Sequence, residues 1–228
     1  MNFGQIASLI QTQSDDATGA GFAAGELLSA VNEGQQFAAL LTLCLEKTAS
    51  FTLNGSCFYL PRPTLTDMLV PLRITLAGTR IRPATLADVE AENPAWQATA
   101  GTPARYVFDG FNLLAITPQG SGTASVTYAF SPAALTGNGS TPQIPEAFHQ
   151  SLVDYGVYRV RLKEGAQGLE RGLKRLNVFL DDMQRLGEYT RARSLAAYYD
   201  VQAFELALFD RSRMIDQILK GQAKWLAK

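Results

Sequence analysis

The sequence predicts an α+β protein, a helical bundle formed by N- and C-terminal helices with an inserted antiparallel β-rich module. Three observations carry this. Residues 3–46 and 144–219 space their apolar side chains at three and four residues, the helical period. Residues 47–135 instead alternate, broken by Gly, Pro and Asn turns. The two patterns meet at residues 144–161, IPEAFHQSLVDYGVYRVR, where Pro145 suits a first helical position and Glu146 the positive end of a helix dipole. Phe148, Leu152 and Tyr155 then share one helix face.

The chain order is therefore 1–46 for the first bundle helices, 47–135 for the inserted module and 144–228 for the remaining helices and tail. Residues 3–13 read as a short amphipathic helix with Phe3, Ile6, Leu9 and Ile10 on one side. Residues 22–46 read as a second, with Leu27, Val31, Ala38, Leu41 and Leu45 near one face. Gly34 costs it about 1 kcal/mol relative to Ala, which predicts a kink or break.

In the module, residues 50–53 and 56–59 flank Asn54-Gly55, the strongest short signal for a two-residue hairpin. An apolar stretch at 65–70 precedes strands at 73–76 and 79–82 around Ala77-Gly78. Thr85 and Asp88 mark the cap of one or two helical turns over 85–92. Residues 106–109 and 113–117 form another hairpin, 123–130 a last strand, and 136–143 a surface linker. In the last part, Leu169, Leu173, Leu176, Leu180 and Met183 follow a 4, 3, 4, 3 seam. Leu186 extends it, Phe179 widens it, and a helix near 191–199 continues or kinks the element. Residues 201–219 supply a further helix, ahead of the tail GQAKWLAK.

The chain of 228 residues is 46% hydrophobic and 18% charged, an ordinary foldable composition. Its net charge of −1 gives no bulk attraction to nucleic acid. The charge is uneven: residues 1–143 hold 6 Lys/Arg against 10 Asp/Glu, and residues 144–228 hold 14 against 11. Opposed halves suit a protein that meets a partner or its own copies, and equally suit two solvated surfaces. Cys44 and Cys57 lie in or beside apolar runs without ligand spacing, so reduced thiols are expected. The first residues lack a basic region and a long apolar core, and no apolar run is long enough to span a bilayer. No signal peptide, no membrane partner and an intracellular location are therefore expected.

Catalytic patterns fail one by one. Residues 19–24, GAGFAA, fit a dinucleotide fingerprint in letters alone, because no βαβ unit surrounds them. His149 is the single histidine, and Asp154 five residues on is poorly placed to pair with it, so a helix-surface histidine is expected. Asp15-Asp16 and Asp181-Asp182 are neighbours that diverge on a helix, which suits solvated charge and not a two-carboxylate site. No nucleophile elbow or phosphate loop occurs. No enzyme, no cofactor and no metal site are expected. Arg171, Lys174, Arg175, Arg185, Arg191 and Arg193, interleaved with Tyr189, Tyr198 and Tyr199, resemble a nucleic-acid face. The acids Glu170, Asp181, Asp182 and Glu188 among them favour a charged outer face with pairs such as Glu170 with Lys174.

The segment IPEAFHQSLVDYGVYRVRLKEG resembles a motif of tailed-bacteriophage head–tail adaptor (connector) proteins. LLSAVNEGQQFAALL upstream is similar to their second helix, and WQATAGTPARYVFDGFNLLAITP to their hairpin; together the likeness covers about 22–190. The resemblance implies a non-enzymatic virion protein in the neck between capsid and tail, assembled in the host cytoplasm. It implies a ring, commonly dodecameric, that docks on the portal protein, extends the DNA channel without sequence-specific binding, and seats the tail or next neck protein. It also implies that the C-terminal tail reaches the portal, which marks Lys220, Lys224, Trp225 and Lys228 as portal-binding candidates. Two alternatives stay open: a stopper or tail terminator, or a ligand-binding β module on a helical stalk that uses Trp96, Tyr106 and Phe111.

Overall fold

In the computed structural model, residues 1–16, 21–59, 65–109 and 113–194 are described. The fold is α+β, with five α-helices and a mixed sheet of seven strands among the described residues. Two compact units emerge: Met1–Thr42 with Ala134–Arg191, and Leu43–Ala133.

The helical unit is built from α1 (Phe3–Gln13), α2 (Ala24–Thr42), α4 (His149–Arg161) and α5 (Ala166–Ser194). α1 buries Phe3, Ile6 and Ile10, as its spacing predicts. Its first four amides are all accounted for. Phe3 and Gly4 donate to the carbonyls of Ser140 and Asn138, Gln5 to the Asn2 side chain, and Ile6 to the Asn2 carbonyl. The 136–143 stretch thus caps α1. Asn32 of α2 holds the Leu135 backbone from both sides, with bonds of 2.7 and 3.2 Å.

α2 ends at Thr42, short of the expected residue 46, and Leu45 lies outside it. Gly34 does not break the helix; it lets Tyr155 approach, since a Cβ there would sit 2.9 Å from the ring. α4 begins later than predicted. Pro145 precedes a 3-10 turn, Glu146–Phe148, and the α-helix starts at His149. Nearly the whole circumference of α4 is buried, the mark of a central helix. α5 is one continuous 29-residue helix whose seam buries Leu176, Phe179, Leu180, Met183 and Leu186. The seam's first two members, Leu169 and Leu173, are half-buried. The expected helix at 201–219 lies outside the described residues.

The sheet unit has strands β1 (Glu46–Asn54), β2 (Phe58–Tyr59), β3 (Met68–Leu76), β4 (Thr79–Pro83), β5 (Arg105–Asp109), β6 (Leu113–Thr117) and β7 (Ser121–Phe130). Their order is β1-β7-β3-β4-β5-β6-β2. Every pair is antiparallel except β4 with β5, so the expected antiparallel β-rich module is present with one parallel step in its sheet. Asn54-Gly55 does make a turn, with Gly55 at φ 82°. Yet it does not join partners: β1 pairs with β7 and β2 with β6. β3 runs through Pro71, and its pairing with β7 shifts register on either side of that missing donor. Ala77 and Gly78, both at positive φ, close the β3–β4 hairpin as expected.

Alternation gives β5 and β6 two apolar faces. Tyr106, Leu114 and Ile116 join the main core with Ile74, Ile81, Val126 and Tyr128. Val107 and Ala115 join Val89, Trp96 and Cys57 in a second. Val89 comes from α3 (Leu86–Glu92), which has the Thr85/Asp88 capping box anticipated from sequence. Trp96 and Tyr106 are thus core residues; Phe111 lies outside the described residues.

Candidate functional site

α4 carries polar groups in a place that should be apolar, and each must find a partner or cost stability. His149 is 2% exposed, which corrects the expectation of a surface histidine. Its Nε2 lies 3.0 Å from the Ile144 carbonyl and its Nδ1 2.8 Å from the Met1 amino group. Those partners fix the tautomer: Nε2–H donates and Nδ1 accepts. The sequence did hold a signal for this, because position 149 sits one turn before inward-facing Leu152. The 3-10 turn ahead of it sets that orientation.

The Ser151 hydroxyl donates to Asp182 at 2.7 Å, and Arg175 donates to Asp154 at 2.8 Å. Both bonds tie α4 to α5. Asp154 is 3% exposed, and burial raises its carboxyl pKa above the ordinary range despite the Arg175 guanidinium beside it. At the far end of α4, Arg161 donates to Asp15 and Glu164, each at 2.7 Å, and to the Gln13 carbonyl at 3.4 Å. It thereby fastens the end of α1. Arg159 pairs with Glu33 of α2 at 2.9 Å, and Lys163 with Glu26. Tyr155 packs 5.0 Å from Phe179 and 6.1 Å from Phe37, and its phenol is pushed up by burial and then by Glu33.

These contacts clamp α4 against α2, α5 and the end of α1. Both His149 nitrogens are engaged, by the Ile144 carbonyl and the Met1 amino group. Asp16 accepts from the Gly21 and Phe22 amides, so the middle of the GAGFAA segment holds the protein's own carboxylate. Asp15 and Asp182 are likewise held by Arg161 and by Ser151 and Arg185, not merely solvated. Cys44 and Cys57 are not joined in a disulfide, and Cys57 is buried. Among the described residues, no helix is long and apolar enough to cross a membrane.

What the surface offers is contact. Leu40, Val178 and Tyr189 are exposed on the helical unit, and Phe58 and Leu86 on the sheet unit. The Glu170–Lys174 pair forms at 3.7 Å on the outer side of α5, as the spacing predicts. Lys220, Lys224, Trp225 and Lys228 lie outside the described residues, as do Tyr198 and Tyr199.

The buried polar groups of α4 are thus each held by a named partner, which fixes the orientation of the faces the bundle presents. A family model, SU10 adaptor protein, matches residues 1–203. The chain belongs to this family of structural phage head–tail adaptors. No curated protein matches the chain.

Proposed function

We propose that the protein forms a ring, dodecameric in its assembled state, that docks on the portal, extends the DNA channel and seats the tail or next neck protein. The single observation behind this is the adaptor family match over residues 1–203, which joins both units in one adaptor sequence. The opposed charge of residues 1–143 and 144–228 supports head-to-tail contacts between copies, the kind that close into rings. In this reading residues 1–46 and 144–228 make the bundle, and the inserted 47–135 module meets the tail side or the exterior. The neck of the virion is its station, reached from the host cytoplasm during assembly.

Within that function, residues 220–228 are the portal-contacting tail, with Trp225 as the apolar anchor and Lys220, Lys224 and Lys228 as its charged surround. Deleting 220–228 should abolish co-sedimentation with purified portal while leaving the melting curve unchanged. Undiminished portal binding by the truncated chain would remove the tail from the interface.

A further inference from the structure

The outward side of α5 carries a pattern its own fold does not use. Positions 171, 174, 178, 185 and 189 fall within about 60° of one another on a helix of 3.6 residues per turn. They lie opposite the buried Leu176–Leu180–Met183 seam. The stripe sets three cations, Arg171, Lys174 and Arg185, around Val178 and Tyr189, which are 45% and 67% exposed. Lys174 and Arg185 reach Glu170 and Asp182 at 3.7 and 3.5 Å with side chains still 75% exposed. Pairs of that kind contribute little. Arg171 has no ion-pair partner among the described residues.

α3 presents the opposite pattern on a smaller scale. Leu86 and Glu90, four apart and so on one helix face, are both exposed. Asp88 is occupied by the Thr85 cap and Glu92 leans on Arg105 at 3.6 Å, but Glu90 has no ion-pair partner among the described residues. Phe58, 42% exposed, stands edge-on to Trp96 and adds apolar surface.

We propose that these two surfaces meet between copies, the α5 stripe of one docking on the Leu86–Glu90 face of the next. The inference rests on the ring reading above and names its subunit contact. Val178 and Tyr189 meet apolar Leu86, and the cations meet the free carboxylate, the complementarity that fixes partner and register. An α5-to-α5 contact would set cations against cations. Nucleic acid fits less well, because Glu170 and Glu188 border the cationic row and would repel phosphate.

Sedimentation of the full chain, alone and bound to portal, tests the contact with charge-reversed copies. Arg171→Glu with Arg185→Glu, and separately Glu90→Lys, should each weaken self-association by about tenfold or more. Mixing the two should restore it, because every junction in an alternating ring is then complementary. All three changes are at exposed positions, so melting curves should match wild type. Variants that assemble normally, or a mixture that stays dissociated, would overturn the contact and leave the ring standing. Loss of duplex DNA binding without loss of assembly would overturn it in favour of nucleic acid. A wild-type chain that never self-associates, even on portal, would overturn the ring reading and this contact with it.

Discussion

The helical unit and the sheet unit solve the problem of specifying one structure by different means. In the sheet unit the core is almost purely apolar, and register does the specifying: alternate residues of β5 and β6 go to different clusters. In the helical unit the central helix carries His149, Ser151, Asp154 and Arg161 into the interior, and each is answered by a named partner. Greasy helices can slide or rotate with small loss, whereas a displaced polar partner leaves a buried group unsatisfied. The difference teaches where force and precision are needed. The bundle is fixed in rotation as well as in packing, which suits an element that must present one face to a neighbour.

The sharpest way to break the comparison is to remove the aromatic centre of the bundle. Phe179 is fully buried, stacked 6.1 Å from Phe37 and tilted 5.0 Å from Tyr155. Phe179→Ala should cost about 3–5 kcal/mol. In a Trp225→Phe background, Trp96 fluorescence reports the sheet unit alone, because the chain has 2 tryptophans. The helical circular-dichroism signal should then fall at lower urea than the fluorescence. A single coincident transition would show that the two units are one cooperative body.

Close approach supplies the next largest effect. A Cβ at Gly168 would lie 2.1 Å from the Arg161 carbonyl oxygen and 2.5 Å from Glu164 Cβ. Backbone cannot step aside, so Gly168→Ala should cost about 1–3 kcal/mol, read as a lower urea midpoint. Gly156→Ala meets the Ile10 side chain at 2.3 Å, and there a second change, Ile10→Val, should recover part of the loss. If Gly168→Ala proves neutral, the α4–α5 corner is looser than its contacts imply.

The same contrast explains what could be foreseen from sequence. Helix existence was legible because the relevant spacing is local: the α1 face, the α5 seam and the α3 capping box all stand where the residues put them. Strand pairing was not. Asn54-Gly55 has hairpin chemistry, but pairing β1 with β7 and β2 with β6 is decided by distant cores that turn residues do not encode. Gly34 likewise looked like a weakness within its own helix; its role appears only once Tyr155 is brought against it. The polar clamps failed for a related reason, since Asp154 and Arg175 are far apart in sequence and only antiparallel packing joins them. Residues 220–228, the portal-binding candidates, rest on resemblance and composition and lie outside the described residues.

The smallest effect at neutral pH is also the most diagnostic of how the clamps work. Asp154 is buried, and its folded pKa is raised from the ordinary 3.8, burial outweighing the attraction of Arg175. The folded state therefore holds this proton more tightly than the unfolded state does. Stability from that source is fully present below the unfolded value and is lost as pH rises through the folded one. Near neutrality Asp154→Asn should be close to wild type, because it removes a costly buried charge and leaves Arg175 half-exposed to water. As pH is lowered from neutrality to about 4, through the raised pKa, wild type should gain relative to the variant. Melting temperatures of the two proteins across that range measure the gain directly. The opposite trend, with wild type losing ground as acid is added, would mean that the ion pair and not the buried carboxyl governs this clamp. The contrast between a pinned bundle and a register-driven sheet would then rest on charge attraction.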